Sequence, residues 1–179
     1  TRLSRGLGDV YKRQVEVIAG VDVADDASVA ALAHKLSSRS IDVLINNAGI
    51  LIPVGLQALD FDIIRRQFEI NSIGPLRVTA ALSDNLSAGS KVAIVTSRMG
   101  SITDNTSGGH YGYRMSKAAV NMAGKSLALD LADRNIPVVL LHPGWVRTDM
   151  TGHNGLINTD ESVAGMLNRI DVLTQEMSG

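Results

Sequence analysis

The sequence has no cysteine among its 179 residues. This absence excludes disulfide bonds, thiolate metal sites and a cysteine nucleophile, and it favours a reducing, cytoplasmic location. Aromatic residues make up only 3% of the chain, so its core must be built from Ala, Val, Leu and Ile. No apolar run approaches the roughly 18 residues of a membrane helix. The formal net charge of −1 gives no chain-wide positive field for nucleic acid or an anionic membrane.

The remaining composition is that of a globular protein, with 45% hydrophobic and 20% charged residues. Residues 1–14 differ from the rest, because they carry four basic side chains and one acidic one. Ser4–Gln14, SRGLGDVYKRQ, is what one reading frame of a common transposase sequencing adaptor encodes. We therefore interpret residues 1–14 as translated adaptor or a non-native tail, and we expect one domain over residues 15–179.

Strand-like and helix-like segments alternate from Val15 onward, a pattern that predicts βαβ units with a parallel sheet. The predicted strands are Val15–Val23, Ile41–Ile45, Lys91–Thr96 and Ile136–Leu141. The predicted helices are Asp25–Leu36, Phe61–Leu86 with a kink at Gly74-Pro75, Tyr113–Asn135 and Ser162–Leu173. Ligands bind beyond the carboxyl ends of parallel strands. We therefore expect the site at the loops Asn46–Gly49, Ser97–Gly112 and His142–Asp160.

Tyr113 and Lys117 lie four residues apart, which places them on one face of the predicted helix. A nearby ammonium favours the phenolate, so we expect Lys117 to lower the pKa of Tyr113. A tyrosine with a lowered pKa can donate or accept a proton near neutral pH. The spacing alone is weak, because a solvated helix face often carries the same pair.

Polar residues at Ser97 and Asn71 are further candidates. The Ser97 hydroxyl ends a strand and could polarise a substrate carbonyl, although a turn-forming role is common there and Ser101 and Thr96 compete for it. Asn71 stands in an apolar helix, where hydrogen bonding to neighbouring backbone is the commoner role. Only the ordered set of candidates indicates a function.

That ordered set resembles the short-chain dehydrogenase/reductase family across nearly all of residues 15–179. Asn46-Asn47-Ala48-Gly49 matches the NNAG motif of the family, and Pro143–Thr148, PGWVRT, matches its PG…T segment. Asn71, Ser97, Tyr113 and Lys117 match its catalytic tetrad. The loop from Ser97 to Lys117 is most similar to a subgroup that includes sniffer-type carbonyl reductases and bacterial C-factor proteins.

The resemblance implies an α/β, Rossmann-like, doubly wound parallel sheet with helices on both faces and the strand order 3-2-1-4-5-6-7. Val15–Val23 would be the third strand of that sheet. The printed sequence holds no match to the Gly-rich TGxxxGxG turn, and we find no counterpart of the first two strands or of the last one. We therefore expect a chain truncated at both ends, with low folding stability and no measurable hydride transfer by itself.

The resemblance also implies roles for individual residues. Tyr113 would exchange a proton with the substrate oxygen, Lys117 would lower its pKa and bind the nicotinamide ribose, Ser97 would polarise the carbonyl, and Asn71 would hold a water. The cofactor would be NADP or NAD, with NADP slightly favoured by the resemblance. The residues expected to contact it are Asp22, Val23, Asn47, Ala48, Gly49, Tyr113, Lys117, Val146 and Thr148.

The predicted function is hydride transfer between nicotinamide and a carbonyl or alcohol substrate, without nucleic acid, membrane or metal partners. The resemblance implies a homo-oligomer formed through the long helix, with plain core packing as an equal alternative. A C-factor-like signalling or binding protein on the same scaffold stays open as the main alternative. A sugar-nucleotide epimerase and a non-functional fragment of the enzyme are further readings.

Overall fold

A parallel three-stranded sheet forms the centre of the computed structural model, which describes residues 15–179. The strands are β1 (Val43–Asn46), β2 (Lys91–Val95) and β3 (Val138–Leu141), in the order β1-β2-β3. Val43 pairs with Lys91, and Val92 pairs with Val138. The α/β class is confirmed, and the order matches that of the fourth to sixth strands of the expected sheet. The predicted tail, residues 1–14, lies outside the described residues, so the domain boundary at residue 15 stays a prediction.

Five α-helices accompany the strands in the described part of the chain: α1 (Asp26–Leu36), α2 (Phe61–Phe68), α3 (Gly74–Ala81), α4 (Tyr111–Asp130) and α5 (Thr159–Asp171). The helix starts follow local capping. Asp25 accepts a hydrogen bond from Ser28 N at 2.8 Å, as expected for the start of α1. Asn158 and Glu161 form a capping box, which starts α5 three residues earlier than the apolar spacing predicts.

Helices cover both faces of β2, which confirms the doubly wound arrangement. On one face, Val92 and Ile94 pack in a core with residues of α4, including Val120 and Leu127. On the other face, Ala93 packs with Ile170 of α5. Successive side chains of a strand point to opposite faces, so a run of apolar residues is needed when both faces are buried.

The predicted strand Val15–Val23 is wrong for the described structure. Residues 15–23 form no strand, and the side chains of Val15 and Val17 are exposed. A strand requires a hydrogen-bonded neighbour, and within residues 15–179 the sheet ends at β1. The β-branched sequence therefore lies outside the sheet, without regular secondary structure.

The long helix predicted over Phe61–Leu86 is divided by a π-helical segment, Glu69–Ile73, between α2 and α3. Gly74 N–H donates to Glu69 O, which is the five-residue spacing of a π-helix. The irregularity thus precedes Gly74-Pro75 instead of lying at it. Pro75 has no N–H and cannot donate to the carbonyl of Asn71 four residues earlier, so regular α-helical bonding is interrupted there.

Candidate active site

A cavity of about 1200 Å³ lies at the carboxyl ends of the three strands. Its lining comes from all three loops in which the sequence placed the site, and it includes Gly49, Ser97, Tyr113 and Lys117. The helix α4 begins at Tyr111, two residues before the expected start, and it carries both Tyr113 and Lys117 into this lining. The cavity therefore unites the residues that the sequence separates by tens of positions.

Lys117 is buried in the lining, with only 4% of its surface exposed. Its Nζ donates a hydrogen bond of 2.9 Å to Val95 O at the end of β2. The same Nζ lies 5.8 Å from the centre of the Tyr113 ring, within the range of a cation–π contact. The four-residue spacing on α4 and the end of β2 together hold this ammonium beside the phenol.

The pKa values of the pair differ from the sequence expectation. Burial lowers the pKa of Lys117 to about 8, because the charged ammonium loses solvation. Burial raises the pKa of Tyr113, and a hydrogen bond with the Ser97 side chain acts in the opposite direction. The expectation that Lys117 lowers the pKa of Tyr113 is therefore wrong for the protein alone, in which loss of solvation is the larger effect.

Ser97 combines the two roles considered for it. Its side-chain oxygen caps a short 3₁₀ turn, Arg98–Gly100, by accepting from Met99 N at 3.1 Å, and the residue also lines the cavity beside Tyr113. The competing hydroxyl of Thr96 donates to Asn121 Oδ1 at 2.6 Å. Ser97 is therefore the hydroxyl that acts to lower the pKa of the candidate proton donor, Tyr113, against the larger effect of burial.

Asn71 lies in the π-helical segment and is fully buried. Its Oδ1 accepts from Ile50 N at 2.8 Å, and its Nδ2 donates to Ile50 O at 2.9 Å and to Ser116 Oγ at 3.0 Å. Ser116 Oγ in turn donates to Tyr113 O at 2.9 Å. The Asn71 side chain thus ties the loop after β1 to the first turns of α4, and it does not line the cavity.

The residues expected to contact the cofactor are divided between two pockets. Asn47, Gly49, Val146 and Thr148 line the large cavity with Tyr113 and Lys117. Val23, Asn47 and Ala48 line a smaller pocket of about 130 Å³ beside β1. Asn47 contributes to both, so the two spaces meet at the end of β1. Asp22 lines neither, and its Oδ1 accepts from Ala24 N at 2.9 Å.

The large cavity has polar and glycine residues in its lining that suit a nicotinamide ring and its ribose. A Cβ on Gly49 would lie 3.4 Å from Asn71 Oδ1 and 3.7 Å from Lys117 Nζ, so glycine keeps open the space beside the ammonium. Lys117 has no carboxylate partner among the described residues, and the Nζ donors that do not bind Val95 O are available to hydroxyl groups on a ligand. The residues placed to hold such a ligand are Asn47, Gly49, Lys117, Val146 and Thr148.

Sequence reasoning missed three residues beside the site. Ser116 connects Asn71 with α4, and its position directly before Lys117 was the available signal. Gln67 is fully buried and accepts from Ile52 N at 3.1 Å, but nothing in its polar side chain marks it as a core residue. His110 lines the cavity one turn before Tyr113.

Residues 15–179 hold no group of three or more His, Asp or Glu side chains placed to bind a metal ion. No helix among those residues combines the length and apolar character needed to cross a membrane.

Comparison with known proteins finds strong sequence similarity. A family model described as short chain dehydrogenase matches residues 5–156. The 1-hydroxy-2-glutathionyl-2-methyl-3-butene dehydrogenase of Rhodococcus sp. (strain AD45) is 46% identical over 177 residues, which cover 96% of this chain and 78% of that protein. The C-signal protein of Myxococcus xanthus is 49% identical over 152 residues, covering 83% of this chain and 92% of that protein.

Solved structures are similar in fold. NADPH-bound carbonyl reductase from chicken fatty liver superposes with a TM-score of 0.85 at 31% identity, covering 94% of this chain and 75% of that one. The carbonyl reductase Sniffer of D. melanogaster has a TM-score of 0.88 at 28% identity, covering 95% of this chain and 76% of that one. Both likenesses extend over nearly the whole chain.

Proposed function

Because the chain belongs to the short-chain dehydrogenase family, a family of oxidoreductases, we propose that it transfers a hydride between a nicotinamide cofactor and a carbonyl or alcohol substrate. One observation carries the proposal. Tyr113, Lys117 and Ser97 converge on one cavity, in which the phenol, the ammonium and the hydroxyl lie side by side. These three groups can exchange a proton with a substrate oxygen atom while the charge on that oxygen changes.

The cofactor, when bound, supplies a hydride to the substrate carbon or accepts one from it. In reduction, Tyr113 gives its phenolic proton to the carbonyl oxygen, and the product is an alcohol. Ser97 donates a hydrogen bond that polarises the same carbonyl. Lys117 then stabilises the phenolate that remains, since its ammonium lies over the ring.

We propose that the proton returns to Tyr113 through Lys117 and a water held by Asn71. The Asn71 side chain already has three protein partners, so the acceptor for that water would be the Asn71 backbone carbonyl. Pro75 supports this assignment, because it has no N–H with which to bind that carbonyl in the α-helical pattern. The π-helical segment Glu69–Ile73 contains Asn71, whose carbonyl has no α-helical hydrogen bond from Pro75.

NADP is the cofactor we favour, since solved relatives are described as bound to NADPH or NADP. The printed sequence has no TGxxxGxG turn, and such a turn supplies backbone N–H groups to the pyrophosphate. We therefore expect no measurable turnover from the 179-residue chain alone. We expect activity when the Gly-rich βαβ unit of a relative is joined ahead of residue 15.

The test is NADPH oxidation by that joined protein with a panel of aldehydes and ketones. Tyr113→Phe should lower kcat by about 10²–10⁴-fold, because the general acid is lost. Tyr111→Phe is the matched control, since Tyr111 stands two residues earlier on α4 and does not line the cavity. Equal rates for Tyr113→Phe and the unchanged protein would refute the proposal, as would the absence of turnover with every carbonyl compound and both coenzymes.

A second candidate is a signalling or binding role, favoured by the 49% identity to C-signal over 92% of that protein. The two functions are distinguishable in a bacterial assay that scores the biological effect of added protein. If Tyr113→Phe keeps the effect, binding carries it; if the variant loses the effect while retaining its fold, catalysis carries it.

We also propose that two copies associate through α4. Met115, Met122 and Leu129 repeat at intervals of seven residues, and the three side chains are 49%, 68% and 65% exposed. This spacing forms one apolar stripe along the helix, as in helix-to-helix contacts. A second copy is the occupant we propose, since the stripe would meet itself across a twofold axis.

The cytoplasmic location stays a prediction.

A further inference from the structure

His110 adopts a backbone conformation that is unfavourable for a residue with a side chain. It is the N-cap of α4, with φ 48° and ψ 39°, in the left-handed region. Gly108 and Gly109 directly before it have φ 63° and 62°. Glycine adopts this conformation without a steric penalty, whereas other residues do not. A third glycine at position 110 would complete the turn with less strain.

The side chain of His110 is a second source of local destabilisation. Its Nδ1 is buried and has no hydrogen-bond partner among residues 15–179. Buried polar atoms are normally hydrogen-bonded, and an unpartnered one destabilises the fold. Neither the backbone nor the contacts of Nδ1 therefore account for a histidine at this position.

The location of His110 provides a different reason for a histidine at this position. The residue lines the large cavity, three positions before Tyr113. His110 and Tyr113 both line this cavity, so the imidazole and the phenol border the same space. A buried N–H without an acceptor is rarer than a bare lone pair, which favours the proton on Nε2. Nε2 is then a donor available to a ligand, and local strain of this kind is typical of functional positions.

We propose that His110 determines substrate specificity by donating a hydrogen bond from Nε2 to a second oxygen of the substrate. This oxygen belongs to a hydroxyl or carbonyl group on the carbon next to the reacting one. The site would therefore prefer α-oxygenated carbonyl compounds over simple ketones. The inference rests on the proposed function, because Tyr113 sets the position of the reacting oxygen.

Trp145 gives a direct readout of binding. It is the only tryptophan of the chain and lines the same cavity, so its indole N–H is a single NMR signal at the site. The 179-residue chain is titrated with hydroxyacetone and with acetone, which differ in one hydroxyl group. We expect hydroxyacetone to bind about 2–10-fold more tightly, the range for one neutral hydrogen bond. His110→Gly and His110→Phe should both abolish this preference.

His153→Gly is the matched control. His153 also has a left-handed backbone, with φ 61°, but its side chain is exposed and does not line the cavity. This variant should keep the preference for hydroxyacetone. Comparison of the two glycine variants separates relief of backbone strain from loss of the imidazole in the cavity.

Thermal unfolding separates a specificity role from a structural one. His110→Gly should raise Tm by about 2–4 °C, because strain and an unpartnered atom are removed while the preference disappears. A fall in Tm would indicate a structural role and overturn the proposal. Equal dissociation constants for the two ketones in the unchanged chain would overturn it too, as would no shift of the Trp145 signal with either. The titration needs no cofactor and no turnover, so its outcome is independent of the hydride-transfer assay.

Discussion

The strands β1 and β2 have similar apolar compositions, but their surroundings differ. Both contain Val and Ile, and β1 adds a Leu where β2 has an Ala. Val92, Ala93 and Ile94 of β2 are fully buried, whereas Val43 and Ile45 of β1 are 40% and 47% exposed. β2 has a strand on each side and a helix on each face, and β1 is the edge of the described sheet. The packing of helices on the faces of a strand, and not its composition, therefore decides how far its side chains are buried.

The same difference divides the site. Lys117 is anchored to the end of β2, and Tyr113 stands on α4, which packs on that strand. Val23 and Ala48, at the β1 side, line only the smaller pocket. The candidate catalytic groups thus lie on the buried region, whereas Val23 and Ala48, which the sequence analysis expects to contact the cofactor, lie on the open one.

Alanine substitutions test this contrast in stability. Ile94→Ala should lower the free energy of unfolding by about 2–5 kcal/mol, because it leaves a cavity in the buried core. Ile45→Ala should cost less than about 1.5 kcal/mol, since almost half of that side chain is already exposed. Urea unfolding of the two variants measures both values. Similar losses at the two positions would contradict the contrast between β1 and β2.

Lys117→Met should stabilise the buried region by about 1–3 kcal/mol at pH 7, while abolishing the proposed chemistry. The pKa of Lys117 is lowered to about 8 from its ordinary value of 10.5, so below pH 8 the folded state carries a poorly solvated charge. This destabilisation is relieved as the pH rises from 8 to 10.5, because the folded protein loses the proton before the unfolded chain does.

The free energy of unfolding, measured between pH 8 and pH 10.5, checks the sign of this pH dependence. The unchanged protein should gain stability relative to Lys117→Met as the pH increases, and the two should converge above pH 10.5. Lys125→Met, at an exposed position on the same helix, should show no such convergence. A constant difference between Lys117→Met and the unchanged protein would exclude titration of the buried ammonium as its cause.

Asn71 tests the connection between the two regions, since it joins the loop after β1 to α4. Asn71→Ala removes three hydrogen bonds and leaves Ile50 N–H unpartnered, so a loss of about 1–3 kcal/mol is expected. Asn168→Ala, at an exposed position on α5, should change stability by less than about 0.5 kcal/mol. Thermal unfolding of both variants distinguishes a connecting role from a merely local one.

The smallest effect on folding is expected at the exposed stripe of α4. Met122→Glu should alter the free energy of unfolding of one copy by less than about 0.5 kcal/mol, because the side chain is 68% exposed. It should nevertheless dissociate the proposed dimer, as sedimentation velocity would show. An unchanged association state would exclude this stripe as the contact between copies.

Much of the buried region could be predicted from the sequence. The apolar runs of β2 and β3, the cap at Asp25 and the four-residue spacing of Tyr113 and Lys117 depend on local patterns, and the structure has all of them. Their common feature is that the signal and its consequence lie within one element. The predicted strand ends also indicated the three loops that line the cavity, because ligands bind beyond the carboxyl ends of parallel strands.

The expectations that proved wrong depend on neighbours distant in the chain. Val15–Val23 has the composition of a strand, but no described strand lies beside it. The pKa of Tyr113 follows from how deeply α4 is buried, which helical spacing does not specify. The division of the helix at Glu69–Ile73 accompanies the contacts of Asn71 with Ile50 and Ser116.

The sequence by itself determined the α/β class, the order of the elements and the family whose motifs they carry. Only the tertiary structure decided which strand is buried, which hydroxyl lies beside Tyr113 and which way the pKa values shift. The physical reason is one of range. Backbone periodicity and capping act over a few residues, whereas solvation and hydrogen-bond partners are set by atoms that the fold brings together from far apart in the chain.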